Sequence, residues 1–168
     1  RTYKQAFSGQ ADFTGIYELK QAVNIPVICN GDILDFDDGI KKIIHPENRD
    51  GKISDKKNLD GFMIGRASFG NPWSFLPGGY VPTLREILDT MAEQILWDWK
   101  QRKGMMEARK HLVQYLHGFP NVKEYRSRLV HVEGPEEIVA ILADIRTNHV
   151  DLLNERIGGV NADALKQS

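Results

Sequence analysis

The sequence carries one cysteine, Cys29, in 168 residues. An internal disulfide framework is thereby excluded, and so is a zinc site built from several thiolates. Long apolar runs are missing too: nothing approaches the ~18 residues that a membrane span needs. The opening Arg1-Thr2-Tyr3-Lys4 is followed by no apolar leader core. These absences predict a cytoplasmic chain without membrane or metal, in which redox chemistry must come from a cofactor. Net charge is scarce as well, at -1, which taken alone argues against a nucleic-acid partner.

The charge is segregated, however. Residues 1–80 hold ten basic and ten acidic groups, and 81–99 hold one and four. Residues 100–128 hold eight basic and two acidic, and 129–168 hold three and seven. The basic stretch suits a polyanion or forms a solvated helix face; charge alone leaves both open.

With 41% hydrophobic residues, the chain can bury a core as one ordinary domain or two small ones. Over 11–23, Phe13, Ile16, Tyr17, Leu19 and Val23 keep one helical face against a core. Pro26-Val27-Ile28-Cys29 predicts a short buried strand running into Asn30-Gly31-Asp32, and Asp35 caps a second helix to about Ile44. Gly61-Phe62-Met63-Ile64 repeats the pattern and ends in Gly65-Arg66. Strand, helix, strand predicts a parallel βαβ unit. The intervening segment, 45–59, is polar. Its Asn48-Arg49-Asp50-Gly51 resembles a calcium loop, but with Gly51 in register, Pro46 and Lys57 stand where carboxylates are needed, so a surface turn is expected instead.

Beyond Pro77, Gly78, Gly79 and Pro82, strand signals give way to helical periodicity. Thr83 caps a helix carrying Leu84, Ile87, Leu88, Met91, Ile95 and Trp99. Gly104, then Gly118 with Pro120, separate two more, and a last helix follows Gly134-Pro135. Trp97, Trp99, Met105 and Met106 are expected in a core or interface. The expected organisation is α/β followed by all-α, with a boundary between 80 and 81.

Strands ending in glycine loops are what phosphate binding needs, because backbone N–H groups can then close on the anion. In a (β/α)8 barrel, the loops after strands seven and eight commonly hold such a phosphate. Gly31 and Gly65 could equally be turn residues.

The residues themselves resemble a family. Asn30-Gly31-Asp32-Ile33, Met63-Ile64-Gly65-Arg66-Ala67 and Gly70-Asn71-Pro72-Trp73 are similar to the FMN-binding end of bacterial tRNA-dihydrouridine synthases. Upstream, Arg1-Thr2 and Phe7-Ser8-Gly9-Gln10-Ala11-Asp12 resemble the segment following that family's active-site histidine. Downstream, Arg109-Lys110-His111-Leu112 with Tyr115, Gly118-Phe119-Pro120 and Lys123-Glu124-Tyr125-Arg126 resemble its helical domain. The resemblance runs to about residue 145.

It implies that 1–80 form the C-terminal end of an FMN-binding (β/α)8 TIM barrel, about two strands of it, and that 81–168 form a helical tRNA-binding bundle. Asn30, Gly31 and Asp32 would form one side of the FMN-phosphate cradle, and Gly65 with Arg66 the other. Asp32, being anionic, would orient the loop or bond a flavin or ribitol group. In the family, reduced flavin delivers hydride to uridine C6, a cysteine protonates C5, and NADPH reloads the flavin. That cysteine has no counterpart here, Cys29 reading as a small buried residue. The chain is therefore expected to be a fragment, inactive alone and without a catalytic residue of its own, from a protein monomeric at full length. The stretch from Asn30 to Gly65 is longer than usual for the family.

By the same resemblance, Arg109, Lys110, Lys123, Arg126 and Arg128 would line a phosphate-holding groove that presents uridine to the flavin. His111 and Tyr115 could contact RNA or simply pack between helices, four apart on one face. Two other readings are a non-catalytic helical RNA-binding module, and another FMN barrel oxidoreductase such as dihydroorotate dehydrogenase or an ene-reductase. The basic helical half argues against the last.

Overall fold

A computed structural model describes residues 9–100 and 105–157, with side chains from 108 onward in the second stretch. The motifs at Arg1-Thr2 and Phe7-Ser8, and the side chains of Met105 and Met106, lie outside the described residues. Among the described residues two compact units emerge: 9–68 with Ser74–Tyr80, and Phe69–Trp73 with 81–157.

In the first unit, α1 spans Thr14–Ala22, β1 Ile28–Asn30, α2 Phe36–Ile43 and β2 Gly61–Met63. The strands are parallel, pairing Ile28 with Gly61, Cys29 with Phe62 and Asn30 with Met63. The expected βαβ unit is therefore present. Helix α1 starts later than its apolar pattern suggests, because the Asp12 carboxylate accepts the Thr14 N–H at 2.9 Å and the Ala11 N–H is taken by Asp32. Strand β1 also starts late. Pro26 has no N–H to give, and the Val27 N–H goes to the Asp60 carboxylate at 2.6 Å instead of a ladder partner. Asp35 caps α2 as expected, its side chain accepting from the Asp38 N–H, and acids stand in the first turn with lysines in the last.

One face of the ladder is covered. Cys29 is fully buried, burial pushes its thiol pKa up, and Gly39 of α2 lies so close to the Phe62 ring that any Cβ would overlap it. Ile28 and Met63, on the other face, are more than half exposed.

The segment between α2 and β2 is organised by Asn48. Its carbonyl accepts from the Ser54 N–H and hydroxyl at 3.1 and 2.6 Å, and its amide donates to the Lys56 carbonyl and to Asn58 at 2.8 and 3.0 Å. Asp50 and Gly51 make the expected turn.

In the second unit, α3 spans Leu84–Lys100, α4 Met105–Tyr115, α5 Val122–Leu129 and α6 Pro135–Asn148. Helix α3 packs on α4 and α6, and α5 packs on the same two. Its start is a capping box: the Thr83 N–H donates to Glu86 at 2.7 Å, and the Glu86 N–H to the Thr83 hydroxyl at 3.3 Å. Leu84, Ile87, Leu88, Met91 and Ile95 are buried with Leu112, Leu116, Leu129, Ile138 and Ile145. Of the two expectations for Trp97 and Trp99, core or interface, the core is excluded, since the helical phase that buries Ile95 and Asp98 turns both indoles outward. No helix among the described residues is long and apolar enough to cross a membrane.

Candidate functional site

Both strand-end loops of the first unit meet at one residue. Asn30 closes β1 and is exposed. Gly31 follows at φ 124°, and a Cβ there would lie 2.8 Å from that of Ala11, so the position takes only glycine. Asp32 then adopts a left-handed backbone at φ 48°. One of its carboxylate oxygens accepts the Ala11 N–H at 2.7 Å, and the other pairs with the Arg66 guanidinium at 3.0 Å. Its carbonyl accepts from Lys42 Nζ at 2.5 Å, an ammonium that also pairs with Asp38 at 2.7 Å. The segments before α1, after β1, along α2 and after β2 are thus tied together through Asp32.

Across from it, the Gly65 carbonyl accepts from the Ser68 N–H and hydroxyl at 3.0 and 2.8 Å, fixing the short turn Arg66–Ser68. A Cβ at Gly65 would meet no atom within 4 Å. The loop therefore leaves open space over exposed backbone, with a guanidinium beside it, which fits an anion of phosphate size.

The RNA-facing candidates lie in the second unit, where they divide by environment. On α4, Lys110 is exposed, whereas the buried Nε of Arg109 has no hydrogen-bond acceptor among the described residues. His111 meets Phe69 edge-on at 6.3 Å, and Gly70, buried at φ 66°, presses its backbone on the Gln114 carbonyl. Tyr115 is buried against Trp73, and its hydroxyl donates to Gln94 of α3 at 2.8 Å. Burial, with Asp98 nearby, raises its phenol pKa. These contacts make Tyr115 a tie between helices.

On α5, Arg128 is paired with Asp144 of α6 and lies over the Tyr125 ring at 5.5 Å. Lys123 and Arg126, three apart, occupy a different flank. Arg126 adds to burial in lowering the pKa of His117.

Sequence reasoning passed over Lys42, Gln94 and a cavity of about 620 Å³ in the first unit, lined by Phe13, Tyr17, His45, Arg49 and Lys56 among others. Lys42 carried a signal, standing four residues after Asp38. Gln94 carried none, because its partner lies on another helix. No cluster of His, Cys, Asp or Glu suited to a metal occurs among the described residues.

A parallel β/α/β unit whose strand-end loops are tied together through Asp32 and Arg66, followed by helices with exposed cations, defines the class: a parallel β/α protein with a helical extension. The chain belongs to the dihydrouridine synthase family, whose match covers residues 1–150. It is 34% identical over 155 residues to a Mycobacterium leprae protein named "Probable tRNA-dihydrouridine synthase", covering 84% of this chain and 38% of that protein. A Rickettsia bellii protein of the same name is 31% identical over 163 residues, covering 90% and 47%. The tRNA-dihydrouridine synthase B of Pseudomonas aeruginosa is 33% identical over 141, covering 76% and 39%. The chain spans less than half the length of each.

Proposed function

We propose that this chain contributes the flavin-phosphate cradle and the RNA-holding helices of a cytoplasmic FMN-dependent tRNA-dihydrouridine synthase that draws its electrons from NADPH. The observation that carries the reading is the ion pair between Asp32 and Arg66, which brings together two glycine loops from neighbouring parallel strands and leaves Gly65 open beside a cation. Residues 9–80 then correspond to two strands of a (β/α)8 barrel, and the helices beyond them to a tRNA-binding bundle.

In this reading the phosphate is held by the backbone around Gly65 and by the Arg66 guanidinium, with Asn30 and Gly31 on the facing side. Asp32 and Lys42 position that loop. A flavin bound there would supply the hydride for uridine C6, and the proton that C5 takes up would come from the family's cysteine, which has no counterpart in this chain. Arg109, Lys110, Lys123 and Arg126 hold RNA phosphates, Arg128 contributes less because Asp144 answers its charge, and His111 sits at the edge of that surface.

The test has two arms. Arg66→Ala should weaken FMN by about 1.5 to 3 kcal/mol, the range for hydrogen bonds to charged groups, and leave riboflavin, which lacks the phosphate, unaffected. Fluorescence titration of both flavins reads this, and equal loss of the two would refute a phosphate role. Replacing Arg109, Lys110 and Arg126 with alanine should flatten the log-log salt dependence of tRNA binding by roughly two units, since each phosphate contact releases counterions. An unchanged slope in a variant of unaltered helicity would reduce these charges to a solvated face.

A further inference from the structure

The last turns of α3 expose more apolar surface than a helix so well anchored needs. Leu84, Ile87, Leu88, Met91, Ile95 and Asp98 form its buried stripe. Off that stripe, Leu96 is 57% exposed and Trp97 and Trp99 are 55% exposed each. At about 100° per residue, Trp99, Leu96, Lys100 and Trp97 follow one another round the helix in steps of about 60°, 40° and 60°. Those steps add up to about 160°, so the four residues form a band across the solvent side of the helix, with an indole at each edge and the exposed Lys100 between them.

The chemistry of this strip selects its occupant. An indole face attracts any nucleobase, whatever its identity, and a flanking cation holds the phosphate between bases. The sequence runs on from Trp99 into Lys100, Arg102 and Lys103, the start of the stretch holding eight basic groups against two acidic. A protein-binding patch has no need of that charge, and depletion of lysine is the usual mark of a protein interface. Paired RNA would not use the indoles, because its bases are already stacked.

We infer that the C-terminal end of α3 is a stacking surface for unpaired nucleotides of an RNA, with Trp97 and Trp99 taking bases and Lys100 a phosphate between them. The inference rests on the RNA-binding reading above and adds to it a surface that reads single-stranded structure, apart from the cations on α4 and α5. By this account, a folded RNA is recognised partly through its loops.

Binding of this chain to tRNA, to a single-stranded oligouridylate and to a fully paired RNA duplex of equal length, followed by fluorescence anisotropy, tests it. Trp97→Ala with Trp99→Ala should weaken tRNA and the oligouridylate by about 5- to 150-fold, the range for one stacked base. The slope of affinity against salt should stay as in the wild type, and duplex binding should not change. Trp97→Phe with Trp99→Phe keeps a ring at both positions and should retain most of the affinity, which separates stacking from any loss of folding. Unchanged oligouridylate affinity in the alanine variant, or equal loss for the duplex, overturns the inference while leaving the RNA-binding reading intact. Loss of self-association by light scattering with RNA affinity untouched also overturns it, making the strip a contact for a second copy. Failure of the wild type to bind any of the three RNAs overturns the broader reading, and this inference with it.

Discussion

The two units solve the problem of burial in different ways. In the second, four helices close on one another, and Leu84, Leu88, Met91, Leu112, Leu129, Ile138 and Ile145 are among those left with essentially no exposure. In the first, only Cys29 among the described residues reaches that state, and the two-stranded ladder is covered on one face while Ile28 and Met63 stand open on the other. Parallel strands are ordinarily buried on both faces. The described helices thus close on a shared core, and the β/α unit adds to its smaller cluster a set of polar ties: Asp32 to Arg66 and Ala11, Lys20 to Asp60 at 2.6 Å, and Asn48 to its neighbours.

The contrast can be broken most forcefully at Leu88. Leu88→Ala should cost about 2 to 5 kcal/mol, the range for a fully buried leucine. Hydrogen exchange should show the loss in α3 to α6 and leave the amides of β1 and β2 as they were; matched loss in both units would mean that their stabilities are not separate. Next in size is Gly39→Ala. On an open helix this change would help by up to ~1 kcal/mol. Here the added methyl meets the Phe62 ring, so denaturation should report a loss of about 1 to 3 kcal/mol. A gain in stability would show that α2 is free to move off the ladder.

Thr83→Ala removes one side of the capping box and should lower stability by about 1 kcal/mol, with Thr83→Ser close to neutral. The smallest effect concerns His117. Burial, and then Arg126, hold its folded pKa below the ordinary value of 6.5. The unfolded chain takes up that proton first, so stability is full above about pH 6.5 and falls as the pH drops toward the lowered folded value. Denaturation midpoints at pH 7.5 and 5.5 should differ less in His117→Gln than in the wild type.

What could be read from the sequence was whatever is local. Thr83 with Glu86 and Asp35 with Asp38 are caps spaced three residues apart, and the glycine loops announce strand ends, so α2, α3 and both strands stand close to their expected places. Long-range partners left no such mark. The Asp32 carboxylate reaches both Ala11 and Arg66, and nothing in Asn30-Gly31-Asp32 says so. Tyr115 could be a contact or a packing residue until Gln94 was found beside its hydroxyl. For Trp97 and Trp99, size and apolarity leave core and interface both open, and helical phase excludes the core. They lie outside the stripe that runs from Leu84 to Asp98.

The network around Asn48 also bears on how the first unit folds. The Leu59 N–H donates to the Ile43 carbonyl at 2.9 Å, so the residue entering β2 is clamped to the last residue of α2. Between them lies an excursion closed by its own asparagine and tied to α1, where Arg49 donates to the Tyr17 hydroxyl at 3.0 Å and the Lys57 N–H to Gln21 at 2.9 Å. The entropy of joining the two strands rises only slowly with loop length, by about 0.6 kcal/mol for each doubling, and a loop already folded back on itself costs less than a slack one of the same length. A chain searching for its β1–β2 register meets this excursion as a short bridge, and the pairing of distant strands becomes, in kinetic terms, nearly a local event.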